Sequence, residues 1–150
     1  MDDVRRWDDQ VGSLFFEDLS VGMTASYGKT LTETDIILFS GISGDTNPVH
    51  LNQDYAEKTR FKGRIAHGML SAGFISAVLG TKLPGPGAIY VSQSLRFTAP
   101  VRHGQTVVAR CTVIELIPEK RRAVLLTQCF VGDTLVVDGE AVVMVPSRAA

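Results

Sequence analysis

The hydrophobic pattern changes period once along the chain. Residues 15–31 alternate only weakly, and Tyr27–Leu31 is the part that reads as a strand. Thr32 followed by Asp35 has the form of a capping box, with Asp in place of the usual Glu or Gln. Ile36, Ile37, Leu38, Phe39 and Ile42 fill a helix-length stretch behind it, and Gly41 and Gly44 mark its end. Asn47-Pro48 stops the helix, because a residue before proline is driven out of helical geometry. Asn52 is placed to cap a short second helix from about Gln53 to Thr59, and a basic loop follows over 61–66. Residues 68–79 include Met69, Leu70, Phe74, Ile75, Val78 and Leu79 and carry no charge. A helix apolar nearly all round is expected to be buried. Gly80 ends it, ahead of the turn-rich Leu83-Pro84-Gly85-Pro86-Gly87.

After Gly87 the period is two. Ile89, Val91, Gln93, Leu95 and Phe97 face one way, and Tyr90, Ser92, Ser94 and Arg96 the other. Thr106–Ile117, Arg121–Val131 and Leu135–Val145 read as three further strands, joined by Pro118-Glu119-Lys120 and by a Gly132-Asp133 hairpin turn. Asp138-Gly139 is expected to be a bulge, since a turn there would leave two strands too short to pair well. Helices followed by consecutive strands imply an α+β fold, a sheet curled around one buried helix.

Composition sets the frame for this pattern. At 150 residues the chain suits one domain with its own core. Residues 1–14 read as a flexible arm with Trp7 as an anchor, 15–146 as the domain and 147–150 as a disordered tail. Fifteen Lys+Arg against sixteen Asp+Glu argue against nucleic acid as a partner. No apolar run approaches the about 18–20 residues of a membrane span, and MDDVRRWDDQ lacks the apolar core of a secretory signal. Cys111 and Cys129 lie in β-patterned runs without a CxxC spacing and read as reduced core thiols, with a disulfide between neighbouring strands as the alternative that nothing requires. A soluble, cytoplasmic protein is expected. There is no GxGxxG after a strand, no phosphate-loop GK[ST], no HExxH and no GxSxG.

The candidate chemistry lies between Phe39 and Met69. Asp45 and His50 cannot share one regular helix face, but the tight Asn47-Pro48 loop between them can fold both into one cleft. Asp45 follows a helix C-terminus, whose partial negative charge makes a carboxylate a stronger proton acceptor. Gly68 opens the apolar helix, where N–H groups lack intrahelical partners and glycine permits close approach. Such an N–H suits a developing oxyanion. Taken singly, Asp45 also reads as a loop carboxylate capping backbone, His50 as a satisfied polar residue and His67 as a structural partner near the helix start. A metal site of Asp45, His50 and His67 matches no usual ligand spacing. Lys58, Arg60, Lys62 and Arg64 read equally as a solvated loop or as a landing patch for a phosphorylated ligand.

Gly44-Asp45-Thr46-Asn47-Pro48-Val49-His50, with Phe39 upstream and Ala56 downstream, closely resembles the signature of the MaoC-like (R)-specific enoyl-CoA hydratases, the hydratase-2 family. Ala66-His67-Gly68-Met69 and the Tyr90–Phe97 segment also look like that family, and the resemblance spans Phe16 to Pro146. It implies a hotdog fold, a curved antiparallel sheet wrapped around one long helix, in a homodimer with the acyl chain entering near the interface. The implied enzyme is a hydro-lyase that adds water reversibly to a trans-2-enoyl-CoA, giving an (R)-3-hydroxyacyl-CoA. Asp45 and His50 match the family's catalytic pair, Gly68 its backbone oxyanion donor and Ser76 a supporting polar position, with Asn47 inside the motif. Lys62, Arg64 and Met69 are the expected substrate-binding residues. No metal or cofactor is implied, because coenzyme A enters as part of the acyl-CoA thioester substrate. The alternatives are an acyl-CoA thioesterase on the same fold, against which the GDxNPxH motif speaks, and a non-catalytic acyl-CoA-binding module.

Overall fold

The computed structural model describes residues 13–149. Among the described residues, four α-helices and six strands follow one another, with a helix over 48–51 and a break in the 89–97 strand that the pattern did not predict: β1 (Thr24–Thr30), α1 (Glu33–Ser43), α2 (Pro48–Leu51), α3 (Gln53–Ala56), α4 (Gly68–Thr81), β2 (Ile89–Gln93), β3 (Arg96–Phe97), β4 (Thr106–Ile117), β5 (Arg122–Val131) and β6 (Thr134–Met144). The strands form one antiparallel sheet in the order β1-β4-β5-β6-β2, with β3 following β2 along the same edge of β6. Helix α4 lies across the concave side, packed on β4, β1, β5 and β6. Its Phe74, Ile75, Val78 and Leu79 meet Val107, Val113, Leu125, Val137 and Val143 in the core. Removing a side chain of this size from water contributes about 1.5–3 kcal/mol. This is the hotdog arrangement, and the fold class is α+β.

The Thr32/Asp35 capping box forms as read: Thr32 Oγ1 accepts from the Asp35 N–H and Asp35 Oδ2 from the Thr32 N–H. Asn47-Pro48 is not needed as the expected stop, since Gly44 has already ended α1. It starts a helix, because Asn47 caps Val49 N–H and proline at the first helical position has no N–H to leave unpaired. Helix α3 is shorter than expected, ending at Ala56. Asp138-Gly139 is not a bulge; β6 runs through it in register with Thr127 and Gln128. Gly139 is needed there because a Cβ would stand 1.9 Å from the Ser94 carbonyl oxygen crossing over it. The irregularities fall instead at Val136 of β6, at Ile114 of β4 and between Tyr90 and Ser92 of β2, the last of which breaks the alternation read over 89–97.

Helix α4 is buried on one side only. Met69, Gly73, Ser76 and Gly80 are exposed, beside exposed Ile89, Tyr90 and Val91 of the edge strand β2. A fully buried helix would need another layer, and one sheet covers only one face. Residues 13 and 14, assigned to the arm, are tied down: Leu14 N–H donates to Pro84 C=O and Ser13 Oγ to Pro86 C=O. Trp7 and the rest of the arm lie outside the described residues. Residues 147 and 148 of the expected tail are also held, since Arg148 makes a two-pronged ion pair with Asp18 and Ser147 donates to Glu17. Cys111 and Cys129 are buried and unpaired, and burial pushes both thiols up to about 12. Among the described residues no helix is long and apolar enough to cross a membrane.

Candidate active site

The site is built where the helical segment folds back on the N-terminus of α4. Helix α1 stops because Gly44 takes a left-handed conformation at φ 79°, which costs a residue with a Cβ more than glycine. Asp45 follows directly. Its N–H donates to Ser43 Oγ (3.1 Å) and its Oδ1 accepts from the Asn47 N–H (3.2 Å), so the carboxylate is turned toward α2. Asn47 then starts α2 and swings His50 inward, where the residue is 7% exposed. Asp45 keeps half of its side chain in solvent.

His50 Nδ1 lies 2.8 Å from the Ile65 carbonyl, which can only accept. The proton therefore sits on Nδ1, and Nε2 presents a lone pair toward Asp45 Oδ2 at 3.9 Å. That gap is too long for a direct hydrogen bond and short enough for one water to bridge. Burial holds the His50 pKa below the ordinary 6.5 and the neighbouring His67 adds to this, while the Ile65 carbonyl and Asp45 oppose it. The imidazole is thus poised as a neutral acceptor.

His67 is 2% exposed and stacks on His50, ring centres 3.8 Å apart and planes 29° from parallel. Its Nε2 lies 3.0 Å from the Asp45 carbonyl and 3.1 Å from Ser40 Oγ. Asp45, His50 and His67 bring one potential ligand atom each within 4.8 Å of one another. They fit a metal poorly, because near-parallel stacked rings aim their in-plane lone pairs side by side, and His67 Nε2 must carry a proton for the Asp45 carbonyl.

Gly68 occupies the first position of α4, so its N–H has no intrahelical acceptor. A Cβ there would stand 2.5 Å from the Phe97 ring, which makes glycine the residue that fits. Asp45, His50, His67 and Gly68 share the wall of one cavity of about 400 Å³, otherwise lined mainly by apolar groups such as Phe97, Val101 and Val137. Its size and lining suit a small ligand with one apolar end.

The other sequence candidates are distributed differently. Met69 lines both this cavity and a groove of about 470 Å³ on the open side of α4. Ser76 lines that groove with Tyr90 and Val91 and does not reach the Asp45/His50 cavity within this chain. Arg64 is not a free cation. Its Nε donates to the His50 carbonyl (2.7 Å) and its Nη1 pairs with Glu33 (2.6 Å), which clamps α2 to α1. Lys62 is exposed at φ 60° and does not line the cavity. Arg60 and Phe61 do, with the guanidinium over the ring at 5.6 Å. The basic run contained Arg60, but only the loop's path distinguishes it from its neighbours.

The MaoC like domain family matches residues 19–131 of this chain. A protein of Rhodospirillum rubrum named (R)-specific enoyl-CoA hydratase is 63% identical over 134 residues, 89% of this chain and 93% of its own. A 3-hydroxybutyryl-CoA dehydratase of Methylorubrum extorquens is 55% identical over 90% of this chain and 86% of its own. The R-hydratase PhaJ1 from Pseudomonas aeruginosa, solved in unliganded form, superposes with a TM-score of 0.85 at 47% identity, covering 91% of this chain and 88% of that one.

Proposed function

The chain belongs to the MaoC-like domain family, and from that premise we propose that it is an (R)-specific enoyl-CoA hydratase, a hydro-lyase that reversibly adds water to a trans-2-enoyl-CoA to give an (R)-3-hydroxyacyl-CoA. The observation that carries this reading is the facing of Asp45 Oδ2 and the bare His50 Nε2 at 3.9 Å, beside the first N–H of α4, in an apolar cavity.

Conjugation to the thioester makes the β-carbon of the substrate electrophilic. Asp45 and His50 hold one water between them, His50 Nε2 accepting one of its hydrogens and Asp45 the other. As the water oxygen bonds to the β-carbon, Asp45 takes the proton. The electron pair of the double bond moves to the thioester oxygen as an enolate, which the Gly68 N–H meets. Collapse of the enolate draws a proton from the pair to the α-carbon, which returns Asp45 to its carboxylate. A single donor to such an oxyanion is worth about 2.7–4 kcal/mol of barrier. Since water and protons balance within the pair, the proposed reaction uses no cofactor beyond the coenzyme A of the substrate. Arg60 at the cavity wall suits its phosphates.

The reading includes a homodimer. The open face of α4 and the edge strand β2 expose Met69, Ile89, Tyr90 and Val91 around the Ser76 groove, and an unpaired apolar edge of this kind favours association. It also includes a reducing, cytoplasmic setting, in keeping with two unpaired buried thiols. The test is crotonyl-CoA with the purified protein, following loss of the enoyl-thioester absorbance and then the chirality of the product. The (R)-3-hydroxy product is expected. Release of free thiol would instead indicate a thioesterase, and saturable binding without turnover a binding module.

A further inference from the structure

We propose that His67 is a positioning residue that sets both members of the Asp45/His50 pair from one imidazole, an inference that rests on the hydratase reading above. The Asp45 carbonyl can only accept, so His67 Nε2 carries a proton, and this N–H fixes the backbone from which the Asp45 carboxylate projects. The ring of the same side chain lies flat against His50 at 3.8 Å and shields one of its faces. Phe39 also packs on His67, with ring centres 4.8 Å apart and planes tilted by 57°, and Ser40 Oγ holds its edge. The distance between the Asp45 carboxylate and His50 Nε2 therefore depends on where His67 sits. Its remaining nitrogen, Nδ1, is buried without a partner. The charged or titratable groups around His50 are Asp45, His67 and Arg64 at its carbonyl, with Glu33 behind Arg64.

Two substitutions in the full chain separate the two contacts. His67→Phe keeps a flat ring against His50 and removes the donor to Asp45. His67→Gln places an amide N–H about where Nε2 was and removes the stacked ring. With crotonyl-CoA, His67→Phe is expected to lower kcat about 100-fold, the usual cost of misplacing a catalytic group by about 1 Å, with KM changed less than about threefold. His67→Gln is expected to recover part of that kcat. In an NMR titration, His50 should move up further in His67→Gln, which loses both the neighbouring imidazole and the flat ring, than in His67→Phe, which keeps a ring against it. A folded His67→Phe protein with kcat within about twofold of the parent would overturn the proposal, as would an unmoved His50 titration in His67→Gln. The titration needs no turnover, so it still decides whether His67 sets His50 if the parent fails to hydrate crotonyl-CoA, an outcome that would remove the hydratase reading instead.

Discussion

Val113, Leu125, Val143 and Ile75 are almost wholly removed from solvent and lean on one another from three strands and a helix. Asp45 and His50 are placed by a few individual contacts: Ser43 Oγ and the Asn47 N–H on one, the Ile65 carbonyl and Arg64 on the other, and His67 on both. Stability in the sheet is spread over many equivalent contacts, each nonspecific in direction. Geometry in the Glu33–His67 segment rests on a few directional bonds, and a half-exposed carboxylate there adds little to folding. A change in the first region should appear in melting and spare chemistry, while one in the second should do the reverse.

The sharpest way to break this contrast is Asp45→Asn. Its amide oxygen can still accept from the Asn47 N–H, so the fold should be kept, but it cannot take a proton. The expected loss in kcat is about 100- to 10,000-fold, with the thermal midpoint nearly unchanged, read from crotonyl-CoA kinetics and a melting curve. A variant that lost several degrees and kept its activity would reverse the assignment of roles. Ile75→Ala probes the other side. It removes buried methyl groups from a side chain with no exposure and should cost about 2–5 kcal/mol in urea unfolding, with kcat of the folded fraction close to that of the parent. The smallest effect is pH. Because burial lowers the His50 pKa, the unfolded state binds more protons between the folded value and 6.5. The stability linked to His50 is thus fully present above 6.5 and falls away as pH drops through the folded value. Hydration should be unaffected on crossing 6.5 downward and decline only as pH falls through the lower folded value, where the Nε2 lone pair is lost. A kcat/KM limb above 6.5 would show that burial does not govern His50.

The β4–β6 strands and the helix of residues 68–81 were legible because each follows one period long enough to identify itself. The capping box at Thr32 and the glycine stop at Gly44 were legible because each needs only neighbours within four residues. Helix α2 is the element the pattern does not predict although its signal is present: Gly44 already stops α1, and asparagine before proline caps a new helix. Arg64 and Lys62 could not be told from Arg60 by composition, since which cation faces the cavity depends on the loop's turn at Lys62 and on the Glu33 carboxylate 31 positions before Arg64.

Local chemistry in the chain determined where helices begin, where strands alternate and that Asp45 and His50 belong near one another, because caps, periods and the Asn-Pro turn act over a few residues. Only the tertiary structure decided which nitrogen of His50 is bare, that Ser76 looks out of the opposite side of α4, that Phe97 closes over Gly68 and that His67 lies flat on His50. Those facts depend on partners 15 to 29 residues away or on which face of a helix the sheet covers. Directional contacts of that kind come from the assembled packing, where distance along the chain no longer measures distance in space.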